Sequence, residues 1–160
     1  CFAVIQSVQA TELRPSIIQI VSKLRKENKV HFGYPVGFVG RPEINNKYYK
    51  LYFKLKNKAT DDELIVLTND TSKCIVVYAF DILWHRQNSN LKSIFLQHKN
   101  DTTFFWTAAG CTDMEDRINW FMLRRLNPNH GGENKKHLTN EEFDLYCNKF
   151  KNADKLFSCN

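Results

Sequence analysis

Lysines interleaved with aromatic rings can hold phosphates and stack bases, and the stretch 47–58 carries that pattern, with Lys50 and Lys54 set among Tyr48 and Tyr52. Other basic residues gather at 23–29, at Arg124-Arg125 and at Lys135-Lys136. Lysines on a strand also protect its edge against aggregation, which gives the same residues a purely structural use. Asp113, Glu115 and Arg117 form an acidic and basic constellation near Trp106 and Trp120. Thr112-x-x-Glu115 is also a capping box, so a helix start is a sufficient role for Glu115. The five histidines show neither i, i+4 pairing nor a cysteine or carboxylate at ligand spacing, so no metal and no cofactor is expected. His130-Gly131-Gly132 has the look of an oxyanion-hole loop, yet no Gly-x-Ser-x-Gly turn accompanies it.

The elements that must position these groups follow from periodicity. Pro15 suits a first helical position, and Ile17, Ile20, Val21 and Leu24 make an apolar stripe, which predicts a helix over 14–28. Gly33, Pro35, Gly37, Gly40 and Pro42 mark a turn-rich connection. From 48 to 56 the alternation predicts a strand with Tyr49, Leu51, Phe53 and Leu55 inward and Lys50, Tyr52, Lys54 and Lys56 outward. Strands are expected at 64–67 and at 74–80, the latter apolar on both faces and hence central, with shorter ones at 82–84, 93–96 and 103–106. Met114, Ile118, Phe121, Met122 and Leu126 predict a helix running from the first capping box to Asn127-Pro128. Thr139-x-x-Glu142 opens a last helix, with Leu138 and Phe143 as its hydrophobic staple. The sum is an α+β fold, a mixed or antiparallel sheet with an N-terminal amphipathic helix and two C-terminal helices, in one domain over 11–160.

Composition limits what such a domain can do. With 160 residues, 42% apolar and 25% charged, the chain can bury a core, and wholesale disorder is excluded. The longest apolar run, Cys74 to Phe80, is far short of the roughly 20 residues of a helical membrane span. A net charge of +6 favours an acidic partner such as nucleic acid. Residues 1–10 end in Val8-x-Ala10 and read either as the tail of a secretory signal peptide or as a first strand. Without Cys1, the cysteines at 74, 111, 147 and 159 form an even set, making Cys74, Cys111, Cys147 and Cys159 disulfide candidates with open connectivity. Asn69-Asp-Thr71 and Asn100-Asp-Thr102 are glycosylation acceptors. These features point to secretion; the alternative is an intracellular protein with buried thiols.

The order of an amphipathic helix, a loop with Tyr34-Pro35-Val36, the stretch Tyr49 to Asn57, and Thr68-Asn69 leading into Ile75-Val-Val-Tyr78 resembles the N-terminal half of ribosome-inactivating proteins, over about residues 12–80. The resemblance implies removal of one adenine from ribosomal RNA, with the base held between tyrosines and a glutamate and arginine on one helix doing the chemistry. Of the stacking pair Tyr78 matches, and Glu115 and Arg117 are the nearest glutamate and arginine, closer together than the family's pattern. The expected function is therefore an rRNA N-glycosidase or an inactive relative. The alternatives are a disulfide-stabilised secreted binding protein of lipocalin-like or cystatin-like shape, and an RNA-binding module without catalysis that uses the lysine and tyrosine stretch.

Overall fold

The computed structural model describes residues 12–36, 41–42, 45–109, 112–129 and 137–154. Its elements in chain order are α1 (Pro15–Leu24), β1 (Lys29–His31), β2 (Pro35–Val36), β3 (Arg41–Pro42), α2 (Lys47–Lys58), α3 (Asp61–Leu67), α4 (Lys73–His85), α5 (Leu91–His98), β4 (Phe104–Ala109), β5 (Thr112–Arg117), α6 (Ile118–Arg125) and α7 (Asn140–Ala153). The fold is α+β. A three-stranded mixed sheet runs β1-β4-β5, with β1 parallel and β5 antiparallel to β4, and β2 pairs with β3 in a separate two-stranded ladder. The expectations for residues 1–10 lie outside the described residues.

The apolar run expected as a central strand is instead the central helix. Every residue of α4 from Cys74 to Leu83 is buried, and the helix touches α1, α3, α5, α6, β1 and β4. A short run apolar on all sides suits a buried strand and a buried helix equally, and only the surrounding layers distinguish them. Burial at the centre follows from the sequence either way, whereas the element type does not.

The other expected strands before residue 100 are helices for related reasons. In 48–56 the spacing of Tyr48, Tyr52 and Leu55 also fits one helical face, and Asn46 starts α2 by accepting from the Tyr48 and Tyr49 amides at 2.7 and 3.2 Å. Tyr52 and Leu55 are buried while Phe53 is half exposed, the reverse of the alternating pattern for residues 52 and 53. The stretches 64–67, 82–84 and 93–96 fall in α3, α4 and α5. The predicted helix from Thr112 is divided: 112–117 is strand β5, in register with β4 from Ala109↔Thr112 to Phe104↔Arg117, and helix begins only at Ile118. The Thr112 hydroxyl donates to the Ala109 carbonyl, so no capping box forms there. The predicted N-terminal helix, the strand at 103–106 and the last helix appear as α1, β4 and α7, the last with its Thr139–Glu142 capping box complete.

Gly33 follows β1 with φ +76°, and a Cβ there would lie 2.4 Å from the Tyr49 ring of α2. Both the left-handed backbone and the close approach require glycine. Gly33→Ala is expected to cost about 1–3 kcal/mol, read as a lower urea midpoint at unchanged m-value.

A capping box overlooked in the sequence ties α1 to α3. Thr60 accepts from the Glu63 amide, and Glu63 accepts from the Thr60 amide and from Arg14 through its amide, Nε and Nη2 at 2.8–3.0 Å. Hydrogen bonding to Arg14 is the main reason the Glu63 carboxyl is held down at about 2, with the Thr60 amide adding to it against the cost of burial. A depressed folded-state value means stability that is full above the ordinary value of 4.5 and is lost as pH falls towards 2. Glu63→Gln should therefore lose about 2 kcal/mol at pH 7, a figure that allows for the half-exposed Arg14, and the gap to wild type should close between pH 4.5 and 2 in urea titrations.

Candidate functional site

Reading α2 as a helix brings its lysines to one side, because residues three and four apart share a helical face. Lys47, Lys50 and Lys54 line a groove of about 360 Å³ with Tyr48 and Leu51, and Lys23 of α1 and Lys26 just past its end complete the lining. The helices meet there because Ile17, Ile20, Val21 and Leu24 of α1 and Tyr52 and Leu55 of α2 join one core, leaving the basic flanks at the seam. Among the described residues no carboxylate pairs with any of the five lysines. Five cations beside one groove, with no described carboxylate paired to them, raise its potential and draw anions to it. Lys47 Nζ lies 4.7 Å over the Tyr48 ring, and His31 stacks on the same ring at 5.5 Å and 22°. Tyr48 is thus engaged inside the protein, and the groove acts through charge.

The expected site residues divide sharply. Lys50, Lys54 and Tyr48 converge on the groove. Tyr52 and Tyr78 do not reach it: both are core residues, stacked on each other at 5.2 Å, and Tyr78 is 1% exposed with its hydroxyl accepting from the His31 amide at 2.6 Å. A tyrosine so placed has no free face for a base. Glu115 is exposed on β5, directly opposite Trp106 of β4. Arg117 pairs with Asp154 at 2.6 Å and lies 4.7 Å over Phe104 and 4.4 Å over Trp120, which makes it a clasp between β5, α6 and the end of α7. None of Tyr78, Glu115 and Arg117 lines the lysine groove.

Cys74 is a free, buried thiol on α4, which corrects its place among the disulfide candidates, and burial pushes its pKa up to about 11. Such a thiol is inert at neutral pH. Cys147 is disulfide-bonded, while Cys111 and Cys159 lie outside the described residues. Asn69 and Asn100 are exposed in the turns after α3 and α5. Among the described residues no group of three or more histidine, cysteine, aspartate or glutamate side chains could hold a metal, and no helix is long and apolar enough to cross a membrane.

One polar cluster has no counterpart in the sequence reading. Asp81, 1% exposed on α4, accepts from the Tyr52 hydroxyl at 2.7 Å, pairs with Arg125 Nη2 of α6 at 2.7 Å, and has His85 Nε2 at 3.5 Å. Burial, reinforced by Asp81, pushes the Tyr52 hydroxyl far above its usual range, and burial lowers the His85 value despite Asp81. Tyr52 therefore stays protonated as a donor and His85 stays neutral at pH 7, so Arg125 is the cation that balances the carboxylate. The cluster joins α2, α4 and α6 and serves as an internal fastening.

Comparison with protein-family models, with curated proteins and with solved structures returns no match.

Proposed function

We propose that the chain is a nucleic-acid-binding module without catalysis of its own, holding phosphates in the groove between α1 and α2. The observation that carries this reading is the convergence of five lysines, four on α1 and α2 and Lys26 just past α1, on one groove with no described carboxylate among them. Net charge of +6 supports it by favouring encounter with a polyanion. Each phosphate neutralised by a lysine releases counterions, so affinity must fall steeply with salt. Fluorescence anisotropy of a labelled RNA oligonucleotide should give a slope of log K against log salt of about −3.5 if all five lysines engage a single strand. Absence of binding, or binding indifferent to salt, would overturn the reading.

Binding is preferred to base excision because the tyrosine that the resemblance assigns to the adenine is enclosed in the core. Ribosomes incubated with the protein and then treated with aniline should release no rRNA fragment. Release of the fragment would favour the N-glycosidase instead.

A further inference from the structure

On the outward face of β4, Phe104 and Trp106 alternate with the buried Phe105 and Thr107 and remain 48% and 42% exposed. Alternate residues of a strand stand roughly 6.6–6.8 Å apart on the same face, a spacing at which two rings serve two successive bases. Among the described residues no ring and no cation stacks on Trp106. Arg117, held by Asp154, lies over Phe104 and fixes that ring in the row.

The face adjoins α2, the helix that lines most of the lysine groove. Lys29 and His31 of β1 stand in register with Trp106 and Ala108 of β4, and His31 stacks on Tyr48, which lines the groove. Charge is divided along this path. The charged side chains lining the groove are all lysines, whereas β5 carries Asp113 and Glu115 in register with Ala108 and Trp106, Asp113 being paired with Lys29 at 2.6 Å. Phosphates are drawn to the groove, and a strand held there by its backbone lays its bases towards the aromatic row. A duplex hides its base faces and cannot use such a row. Glu115, directly opposite Trp106 and without a described partner, is placed to accept a hydrogen bond from a ribose 2′-hydroxyl, the group that distinguishes RNA from DNA.

We infer that Phe104 and Trp106 form a base-stacking platform which, with the lysine groove, selects single-stranded RNA. The inference rests on the nucleic-acid reading of that groove. Oligouridine, the matching deoxy oligomer and an RNA duplex, each labelled, are compared by anisotropy on wild type, Trp106→Ala, Phe104→Ala, Glu115→Ala and the Lys50→Glu/Lys54→Glu variant. Both aromatic positions are surface sites, and circular dichroism checks that the variants fold.

Trp106→Ala is expected to weaken oligouridine binding about tenfold to a hundredfold with little change in salt slope or in duplex affinity, and Phe104→Ala to act in the same direction. Oligouridine should quench wild-type tryptophan fluorescence, and Trp106→Ala should lose most of that quenching. Glu115→Ala, which removes the acceptor, should bring RNA and DNA affinities together. Unchanged oligouridine binding by Trp106→Ala overturns the platform, and equal RNA and DNA binding by wild type overturns the ribose contact. Loss in Trp106→Ala with no loss in the lysine variant overturns the groove reading and leaves the platform standing. Absence of binding by any oligomer overturns both.

Discussion

Replacing Lys50 and Lys54 together by glutamate is expected to lower RNA affinity on the order of a hundredfold at about 0.1 M salt, the largest functional effect the structure supports. Both residues are exposed on α2 and line the groove. The change removes two phosphate contacts and sets two anions against the strand, so the salt slope should shrink by about 1.5 as well. Glutamate has nearly the helix propensity of lysine, and the two positions bury nothing, so thermal unfolding should be unchanged within about 0.5 kcal/mol. The matched control is Lys149→Glu/Lys151→Glu on the exposed side of α7, which alters net charge equally without touching the groove. Equal losses in both variants would show that overall charge, rather than this groove, attracts the RNA.

Arg125→Ala should cost about 3–5 kcal/mol, a large part of the 5–15 kcal/mol that keeps an ordinary domain folded. Asp81 lies in the core, and Arg125 is the cation that balances it, since burial keeps His85 neutral at pH 7. The guanidinium also lies over Trp84 at 4.7 Å and over Phe121 at 5.2 Å, so alanine removes packing as well as charge. Arg125→Met separates the two, because it refills the space and leaves the carboxylate alone. It should lose nearly as much as alanine. Tyr52→Phe, Asp81→Leu and Arg125→Met combined should recover most of the loss, since removing every polar member leaves none unsatisfied. Urea titration reads all three variants, and a loss below about 1 kcal/mol for Arg125→Met would mean that packing, not charge, makes Arg125 matter.

Local rules account for the parts of the fold that the sequence made legible. Pro15 with its apolar stripe, the Thr139–Glu142 box and the aromatic run between polar turns at 103–106 are signals spanning a few residues, and their elements form as expected, α1 ending at Leu24, four residues early. The same rules misled where one pattern served two elements. Thr112-x-x-Glu115 has the letters of a capping box, but six residues there pair with β4 and the helix waits until Ile118. Thr60-x-x-Glu63 was the true signal in the middle of the chain, strengthened by Asp61 and Asp62 in the first turn of α3. The candidate site was half visible. Lys50, Lys54 and Tyr48 stood out by type, but a strand would have set them apart from Lys23 and Lys26.

The sequence by itself determined the charge, a buried apolar run at 74–80, the basic clusters at 23–29 and 47–58, and the helices and strand with unambiguous local signals. Tertiary structure alone decided that the core run is a helix, that α1 and α2 meet so their lysines share one groove, and that Tyr52 and Arg125 close on Asp81. The physical reason is range. Caps and periodicity act over about four residues, whereas Tyr52 and Asp81 lie 29 residues apart and meet only once α2, α4 and α6 pack together.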